Sequence, residues 1–163
     1  METRYIHQFL FVIIFLCAWL SGHAQISPIP VERVDSLMAV NPKPMLFLIS
    51  TAWCQYCHLQ KQQIRKNDTF TQNAEHFYFV ELNAEQKETL TFNGKNYVHK
   101  PTGINIGIHE LALSLNTSQQ ISYPTWVLLD EQYKPLFKHN GVLNKLQLNA
   151  LLIAIQQKSQ NLE

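Results

Sequence analysis

MLFLISTAWCQYC, residues 45–57, places two cysteines directly after a continuous apolar run. The run at 45–49 is typical of a central strand that is covered on both faces. Cys54 and Cys57 follow at the predicted start of a helix that ends at about Lys66. Two thiols at this spacing can close into one disulfide and reopen, and the amide groups of a helix N-terminus would stabilise the reactive thiolate of Cys54. The stretch therefore predicts a strand–helix unit that carries redox-active sulfur.

The sequence on either side of this unit alternates between strand and helix patterns. Helices are predicted at 31–40, 108–115 and 143–156, strands at 76–82, 126–130 and 135–139, an added turn at 69–75, and a hairpin at 89–99 with a tight Asn93-Gly94 turn. This order predicts an α/β fold whose central mixed sheet has helices on both faces, with an inserted β-hairpin.

Composition and charge exclude several classes of function. The 163 residues are 46% hydrophobic and 15% charged, which is typical of a globular chain with a real core. The formal net charge is +1, and no run of Lys and Arg is interleaved with aromatic residues. No Gly-rich phosphate loop is present either. We therefore expect no nucleic acid partner and no attraction to an anionic membrane surface.

The N-terminus has the pattern of a signal peptide at residues 1–24. An apolar run at 9–20 is too short to span a bilayer comfortably, and small residues precede a predicted cleavage site after Ala24. Cleavage would leave a domain at 25–163, with its core at about 31–156, and would remove Cys17. The mature chain would then hold one isolated cysteine pair in an exported, periplasmic setting without stable membrane insertion. An uncleaved membrane anchor is the alternative.

Three motifs resemble those of one known family. Trp53-Cys54-Gln55-Tyr56-Cys57 matches the W-C-x-x-C of thioredoxin-fold proteins, and Tyr123-Pro124-Thr125 matches their proline loop. Residues 137–141, FKHNG, match the last strand and turn of that family. The chain is most similar to the exported thioredoxin-like proteins of bacteria, over roughly residues 31–156.

The resemblance implies a role for each matching residue. Cys54 is expected to be the exposed nucleophile and Cys57 the more buried resolving thiol. Pro124 is expected to follow a cis peptide bond beside the cysteine pair, and the backbone of Tyr123 would pair with the substrate chain. The expected substrate-binding residues are Trp53, Tyr123, Pro124 and Thr125.

Two positions depart from the family pattern in ways that affect proton transfer. Leu48 occupies the position of a buried acid that many thioredoxins use to transfer a proton to the second cysteine. Glu81 aligns with the lysine that partners this acid. Glu81 either takes over the proton relay or is an ordinary carboxylate at a strand end, and the sequence leaves both readings open.

The residues between and after the cysteines bear on the direction of electron flow. Gln55 and Tyr56 differ from the Gly-Pro of reducing thioredoxins and from the Pro-His of strong oxidants, and this pair tunes the thiolate pKa and the reduction potential. His58 would add positive potential near Cys54. Because the oxidant signature is absent, the sequence favours a reductase or isomerase.

The predicted function is thiol–disulfide exchange with exported proteins, without a cofactor or a metal. A membrane protein would serve as the electron donor in the reductive direction. Two alternatives remain. C-Q-Y-C-H, residues 54–58, also fits a covalent c-type haem site with His58 as axial ligand. Cys54 and Cys57, with His58 or His109 as a third ligand, could instead hold copper in a metallochaperone.

Overall fold

The computed structural model describes residues 26–104, 106–116 and 122–160. The predicted signal peptide and Cys17 lie outside these ranges. Within them, no helix combines the length and the apolar character needed to cross a membrane. The helices are α1 (Val31–Val40), α2 (Gln55–Arg65), α3 (Asp68–Gln72), α4 (Glu110–Leu115) and α5 (Lys145–Gln160). The strands are β1 (Met45–Ser50), β2 (Tyr78–Asn83), β3 (Leu90–Phe92), β4 (Lys95–Tyr97), β5 (His99–Gly103), β6 (Ile106–His109), β7 (Thr125–Leu129) and β8 (Pro135–Asn140).

Four strands form the central sheet in the order β2-β1-β7-β8. Strand β1 is parallel to β2 and antiparallel to β7, and β7 is antiparallel to β8. The sheet is therefore mixed, as the order of sequence patterns predicted. Its two inner strands are buried along their whole length, which explains why their sequences are almost entirely apolar.

Helices cover both faces of this sheet, because successive side chains of β1 point to opposite sides. Met45, Phe47 and Ile49 pack with buried residues of α1 and α4. Leu46 and Leu48 pack on the other face with buried residues of α2, α3 and α5. The predicted α/β class with a covered mixed sheet is confirmed.

The segment between β2 and α4 contains two hairpins where the sequence predicted one. Strands β3 and β4 pair across the predicted turn, at which Asn93 and Gly94 both have positive φ angles of 50° and 67°. The second hairpin pairs β5 with β6. It was not predicted, because the apolar residues at 108, 111, 112 and 115 also fit a helical period.

The helix predicted at 108–115 consequently begins later, at Glu110. His109 ends β6 and caps α4, since its Nδ1 accepts the Leu111 N–H at 3.2 Å. Two further boundaries differ. The strand predicted from His76 begins at Tyr78, because residues 74–76 form a 3-10 turn. The last helix begins at Lys145, and Leu143 is buried ahead of it.

Candidate redox site

The cysteine pair lies where β1 ends and α2 begins. The Cys54 N–H donates to the Thr51 carbonyl at 3.4 Å, which closes a turn between strand and helix. Cys54 is the N-cap of α2, and its sulfur accepts the Cys57 N–H at 3.1 Å. The two cysteines form a disulfide with their Cα atoms 5.2 Å apart. The first sulfur therefore lies at the positive end of the helix dipole, as the sequence predicted.

Both cysteines are more buried than the sequence suggested. Cys54 is 5% exposed and Cys57 is 1% exposed. Cys54, which was expected to be exposed, is therefore only slightly more accessible than Cys57. The reason is local, since the Cys54 sulfur turns inward to cap the helix and to bond with Cys57. Cys54 is the less buried of the two, and its role as the nucleophile stays a prediction.

Strand pairing brings the proline loop to the cysteine pair. Ile49, near the end of β1, pairs with Thr125 at the start of β7. The loop before Thr125 contains Tyr123 and Pro124, joined by a cis peptide bond. The rings of Tyr123 and Trp53 meet edge to face, with centroids 6.2 Å apart. Two motifs about seventy residues apart thus meet at one edge of the sheet.

Thr125 does not contribute a side chain to the surface at which a partner would dock. It is fully buried, and its hydroxyl donates to the Ser122 carbonyl at 2.6 Å and lies 3.1 Å from Asn140 Oδ1. The buried Thr125 side chain is not exposed to a partner, and the substrate-binding role of this residue stays a prediction. Thr125 begins an inner strand, so its side chain holds the proline loop in place. Pro124 is also buried, and its carbonyl accepts the Gly141 N–H at 2.7 Å.

Exposed aromatic residues surround the disulfide. Trp53 is 67% exposed and Tyr56 is 68% exposed, whereas Tyr123 is half-buried. Both carboxylate oxygens of Glu85 accept the Trp53 Nε1–H, at 2.9 and 3.1 Å. Burial, with a smaller effect of the Glu85 charge, raises the pKa of Tyr123 to about 12. Sequence reasoning missed Glu85, although its position just beyond the end of β2 places it at the same sheet edge.

The two other residues proposed to tune the site differ in their contacts. His58 is exposed, and its Nε2 donates to the Ala52 carbonyl at 2.8 Å, within the loop that precedes Cys54. Gln55 is exposed beside the disulfide. His58 therefore holds the loop that precedes Cys54, and its effect on the electrostatic potential there stays a prediction.

Glu81 is joined to a residue of α2. Its carboxylate lies 2.7 Å from Lys61 Nζ, and each side chain is 27% exposed. Among the described residues, no hydrogen bond connects Glu81 with either cysteine. A half-exposed ion pair of this kind contributes little to stability, about 1 kcal/mol or less.

A buried glutamine behind the disulfide was also missed. Gln60 lies one turn after Cys57 on the buried side of α2. Its Oε1 accepts the Trp126 Nε1–H at 3.3 Å and the Leu143 N–H at 2.7 Å. The spacing of Cys57, Gln60 and Ile64 follows one helix face, which was the available signal.

The ligands that the metal and haem alternatives require are engaged elsewhere. Within the described residues, no three His, Cys, Asp or Glu side chains are grouped to hold a metal ion. His58 Nε2 is bound to the Ala52 carbonyl, and the two sulfurs bond to each other. His109 is buried at the start of α4, with its Nε2 3.0 Å from the Glu88 carbonyl. Within the described residues, the arrangement therefore does not assemble a three-ligand metal site, and the haem alternative stays a prediction.

Solved structures with similar folds include a thioredoxin and a disulphide isomerase. The chain is similar to thioredoxin from Trypanosoma brucei brucei, with 15% identity and a TM-score of 0.50, over 80% of this chain and 92% of that chain. It is similar to a disulphide isomerase from Xylella fastidiosa Temecula1, with 18% identity and a TM-score of 0.50, over 76% and 88%. At sequence identities this low, structural similarity shows only that the fold is shared.

The family itself is shown by sequence. No curated protein matches the chain. Residues 36–156 match the family model described as a thioredoxin-like domain, and this range is well over half of the 163 residues. It includes the cysteine pair, the proline loop and all four strands of the central sheet. The chain belongs to the thioredoxin-like family.

Proposed function

We propose that this protein is an exported thiol–disulfide oxidoreductase that reduces or isomerises disulfides of other exported proteins. The observation that carries the proposal is the Cys54–Cys57 disulfide at the N-terminus of α2, beside the Tyr123-Pro124 loop. A disulfide that closes so short a loop constrains the unfolded chain little, so stabilisation is a poor reason for it. Reversible exchange explains both its spacing and its place at a helix end.

The proposed cycle consists of two exchanges of sulfur bonds. The Cys54 thiolate attacks one sulfur of a partner disulfide, forms a mixed disulfide and releases the other partner sulfur as a thiolate. Cys57 then attacks the Cys54 sulfur, and the partner leaves as a dithiol. The protein is now oxidised by two electrons, and a membrane electron donor returns it to the dithiol. No further cofactor takes part.

The exposed aromatic rings give the partner a contact surface. Trp53 and Tyr56 flank the less buried cysteine in sequence and are both exposed, and the Tyr123 ring meets the Trp53 ring edge to face. An extended segment of the partner would lie against these rings and pair with the Tyr123 backbone. Tyr123 keeps its proton in this setting, because its pKa of about 12 lies far above neutral pH.

Direction and location rest on the sequence. The Gln55-Tyr56 pair lacks the Pro-His signature of strong oxidants, which favours the reductive or isomerising direction. The signal-peptide pattern at residues 1–24 supports export. The carboxylate of Glu81 is bound to Lys61 and not to a cysteine. Its proton-relay role therefore stays a prediction.

Substitution of each cysteine tests the cycle. Cys57→Ala is expected to accumulate mixed disulfides, because the second exchange cannot occur, whereas Cys54→Ala is expected to lose insulin reduction entirely. Mixed disulfides formed in cells by Cys57→Ala are identified by mass spectrometry, and exported proteins are expected among them. A Cys54→Ala protein that reduces insulin at the wild-type rate would falsify the scheme, and purely cytosolic partners would contradict export.

A further inference from the structure

Glu85 lies beside an exposed aromatic ring of the redox site and has no cationic partner. Its two carboxylate oxygens accept the Trp53 Nε1–H at 2.9 and 3.1 Å, and its side chain is partly exposed. Within the described part of the chain, no lysine, arginine or histidine forms an ion pair with it. A single N–H leaves most of the acceptor capacity of a carboxylate unused. Glu85 therefore keeps a negative charge and free lone pairs at this surface.

The charge of Glu85 acts on the loop beside the disulfide. The Trp53 ring that Glu85 binds meets the Tyr123 ring edge to face, with centroids 6.2 Å apart. Burial is the main cause of the raised pKa of Tyr123, and the Glu85 charge adds to it. Tyr123 precedes Pro124, and its backbone is the one expected to pair with a partner chain. A partner that docks there comes within reach of the Glu85 charge.

The exposed rings favour the same kind of group as the carboxylate does. Trp53 is 67% exposed, so most of its indole is open to a partner. A lysine or arginine cation over the face of an aromatic ring is attracted by the ring electrons, most strongly when the ring is that of tryptophan. The indole and the Glu85 carboxylate therefore both attract a cation, whereas an acidic group is repelled by Glu85.

The charged side chains of the same loop and the lysine of α2 do not neutralise Glu85. Lys87 and Glu88 follow it in the chain, both are exposed, and their opposite charges offset each other. Lys61 on α2 is bound to Glu81 at 2.7 Å. The charge of Glu85 is thus left to be matched by a docking partner.

We propose that Glu85 determines specificity, and that together with the Trp53 ring it selects partner proteins with a lysine or arginine next to the exchanging cysteine. The partner's cation binds the free carboxylate lone pairs and lies against the indole. The inference rests on the proposed exchange chemistry and adds to it the class of partner. Glu85 acts through charge and position, and it exchanges neither electrons nor protons.

The test uses three disulfide-linked peptides that differ only in the residue next to the cysteine, which is lysine, glutamine or glutamate. The reduced protein converts each peptide disulfide into two thiols, and its own dithiol becomes the disulfide. The wild type is expected to reduce the lysine peptide about tenfold faster than the glutamate peptide, and less selectively at high salt. In Glu85→Gln this preference is expected to fall to about twofold, because the charge is removed while an acceptor for the indole N–H remains.

Glu75→Gln is the matched control, because it removes the same charge from an exposed side chain at the opposite end of β2. Its preference among the peptides is expected to equal that of the wild type. Using the same peptides for every variant cancels the effect of a flanking charge on the intrinsic reactivity of the disulfide. An equal loss of preference in both variants indicates an effect of net charge. An equal slowing of all three peptides by Glu85→Gln indicates a displaced Trp53 ring, and either result overturns the proposal.

Binding of the same peptides with serine in place of cysteine separates this inference from the proposed function. NMR titration measures each Kd without any exchange of sulfur bonds. A wild type that reduces the disulfide peptides with the same preference as Glu85→Gln overturns the assignment of Glu85 alone. Tighter binding of the lysine peptide by the wild type than by Glu85→Gln, with no reduction of any disulfide, supports Glu85 and overturns the proposed function. Neither reduction nor selective binding overturns both.

Discussion

Gln60 connects three parts of the molecule through a single side chain. Its Oε1 accepts N–H groups from Trp126 on β7 and from Leu143 ahead of α5, and its Nε2 donates to Gln63 Oε1 at 3.2 Å. Gln60 makes these three hydrogen bonds while fully buried. The helix that holds the disulfide is thereby tied to the strand that follows the proline loop. A buried polar group with this many partners is costly to remove, because each partner loses its acceptor.

Gln60→Leu is expected to lower the free energy of unfolding by about 2–4 kcal/mol, because the Trp126 and Leu143 N–H groups would be buried without an acceptor. Urea denaturation of the oxidised protein measures this change. Gln62→Leu is the matched control on the exposed side of the same helix, with an expected change within about 0.5 kcal/mol. Equal losses in the two variants would show that the buried hydrogen bonds contribute nothing specific.

At the scale of elements, the β5–β6 hairpin is attached to the segment that follows β2. The His109 N–H donates to the Ala84 carbonyl at 2.7 Å, and His99 Nδ1 donates to the Gln86 carbonyl at 3.1 Å. Glu85, which binds the Trp53 indole, lies between these two anchors. The hairpin therefore helps to fix Glu85, the residue that contacts Trp53 beside the disulfide.

Close packing inside this hairpin requires a glycine at position 107. A Cβ there would lie 2.6 Å from the Lys100 carbonyl oxygen and would overlap the His99 ring. Gly103, in the same hairpin, has room, since a Cβ would meet only the Ile106 Cβ at 3.9 Å. Gly103 therefore serves as a control for Gly107 within the same hairpin.

Gly107→Ala is expected to open the hairpin, because a backbone oxygen cannot move aside as a flexible side chain does. Amide hydrogen exchange is expected to become faster in β5 and β6, while β1 and β7 keep their protection. Gly103→Ala is expected to leave the hairpin closed, since the added methyl group fits. Unchanged exchange in Gly107→Ala would contradict the packing described.

At the scale of the whole molecule, Asp35 on α1 joins the first helix to two distant turns. Its carboxylate accepts the N–H groups of Asn93 and Gly94, at 2.9 and 3.0 Å, and the Tyr133 hydroxyl at 3.0 Å. The inserted β3–β4 hairpin and the β7–β8 turn are both held in this way. Burial first, and then the hydrogen bond to Asp35, raise the pKa of Tyr133 from 10.0 to about 12.

This raised pKa predicts a loss of stability in alkali. Folded Tyr133 binds its proton more tightly than the unfolded chain does, so its contribution is complete below pH 10 and is lost as the pH rises towards 12. Tyr123, with a pKa of about 12, acts in the same direction. Tyr133→Phe is therefore expected to show a smaller fall in unfolding free energy between pH 10 and 12 than the wild type.

Urea unfolding at a series of pH values measures this slope. Tyr56→Phe is the control, because its ring is largely exposed and its hydroxyl has no such partner among the described residues. Its curve is expected to run parallel to that of the wild type. A Tyr133→Phe curve that is also parallel would contradict the linkage between Tyr133 and folding.

The sequence by itself determined the class of fold, the family and the position of the redox pair. Continuous apolar runs predicted the inner strands, and the spacing of Cys54 and Cys57 after such a run predicted a disulfide at a helix start. These features are local, since hydrophobic period, capping and covalent reach act over a few residues. For the same reason the Asn93-Gly94 turn was predicted correctly.

Only the tertiary structure decided which distant groups meet at the site. Glu85 binds Trp53 across 32 residues, and Gln60 binds Trp126 across 66. The burial of Thr125 and the start of α4 at Glu110 depended on neighbouring strands that local patterns did not reveal. The physical reason is that a side chain's partners and burial are set by the packing of whole elements, whereas its own sequence neighbours fix only the element in which it lies.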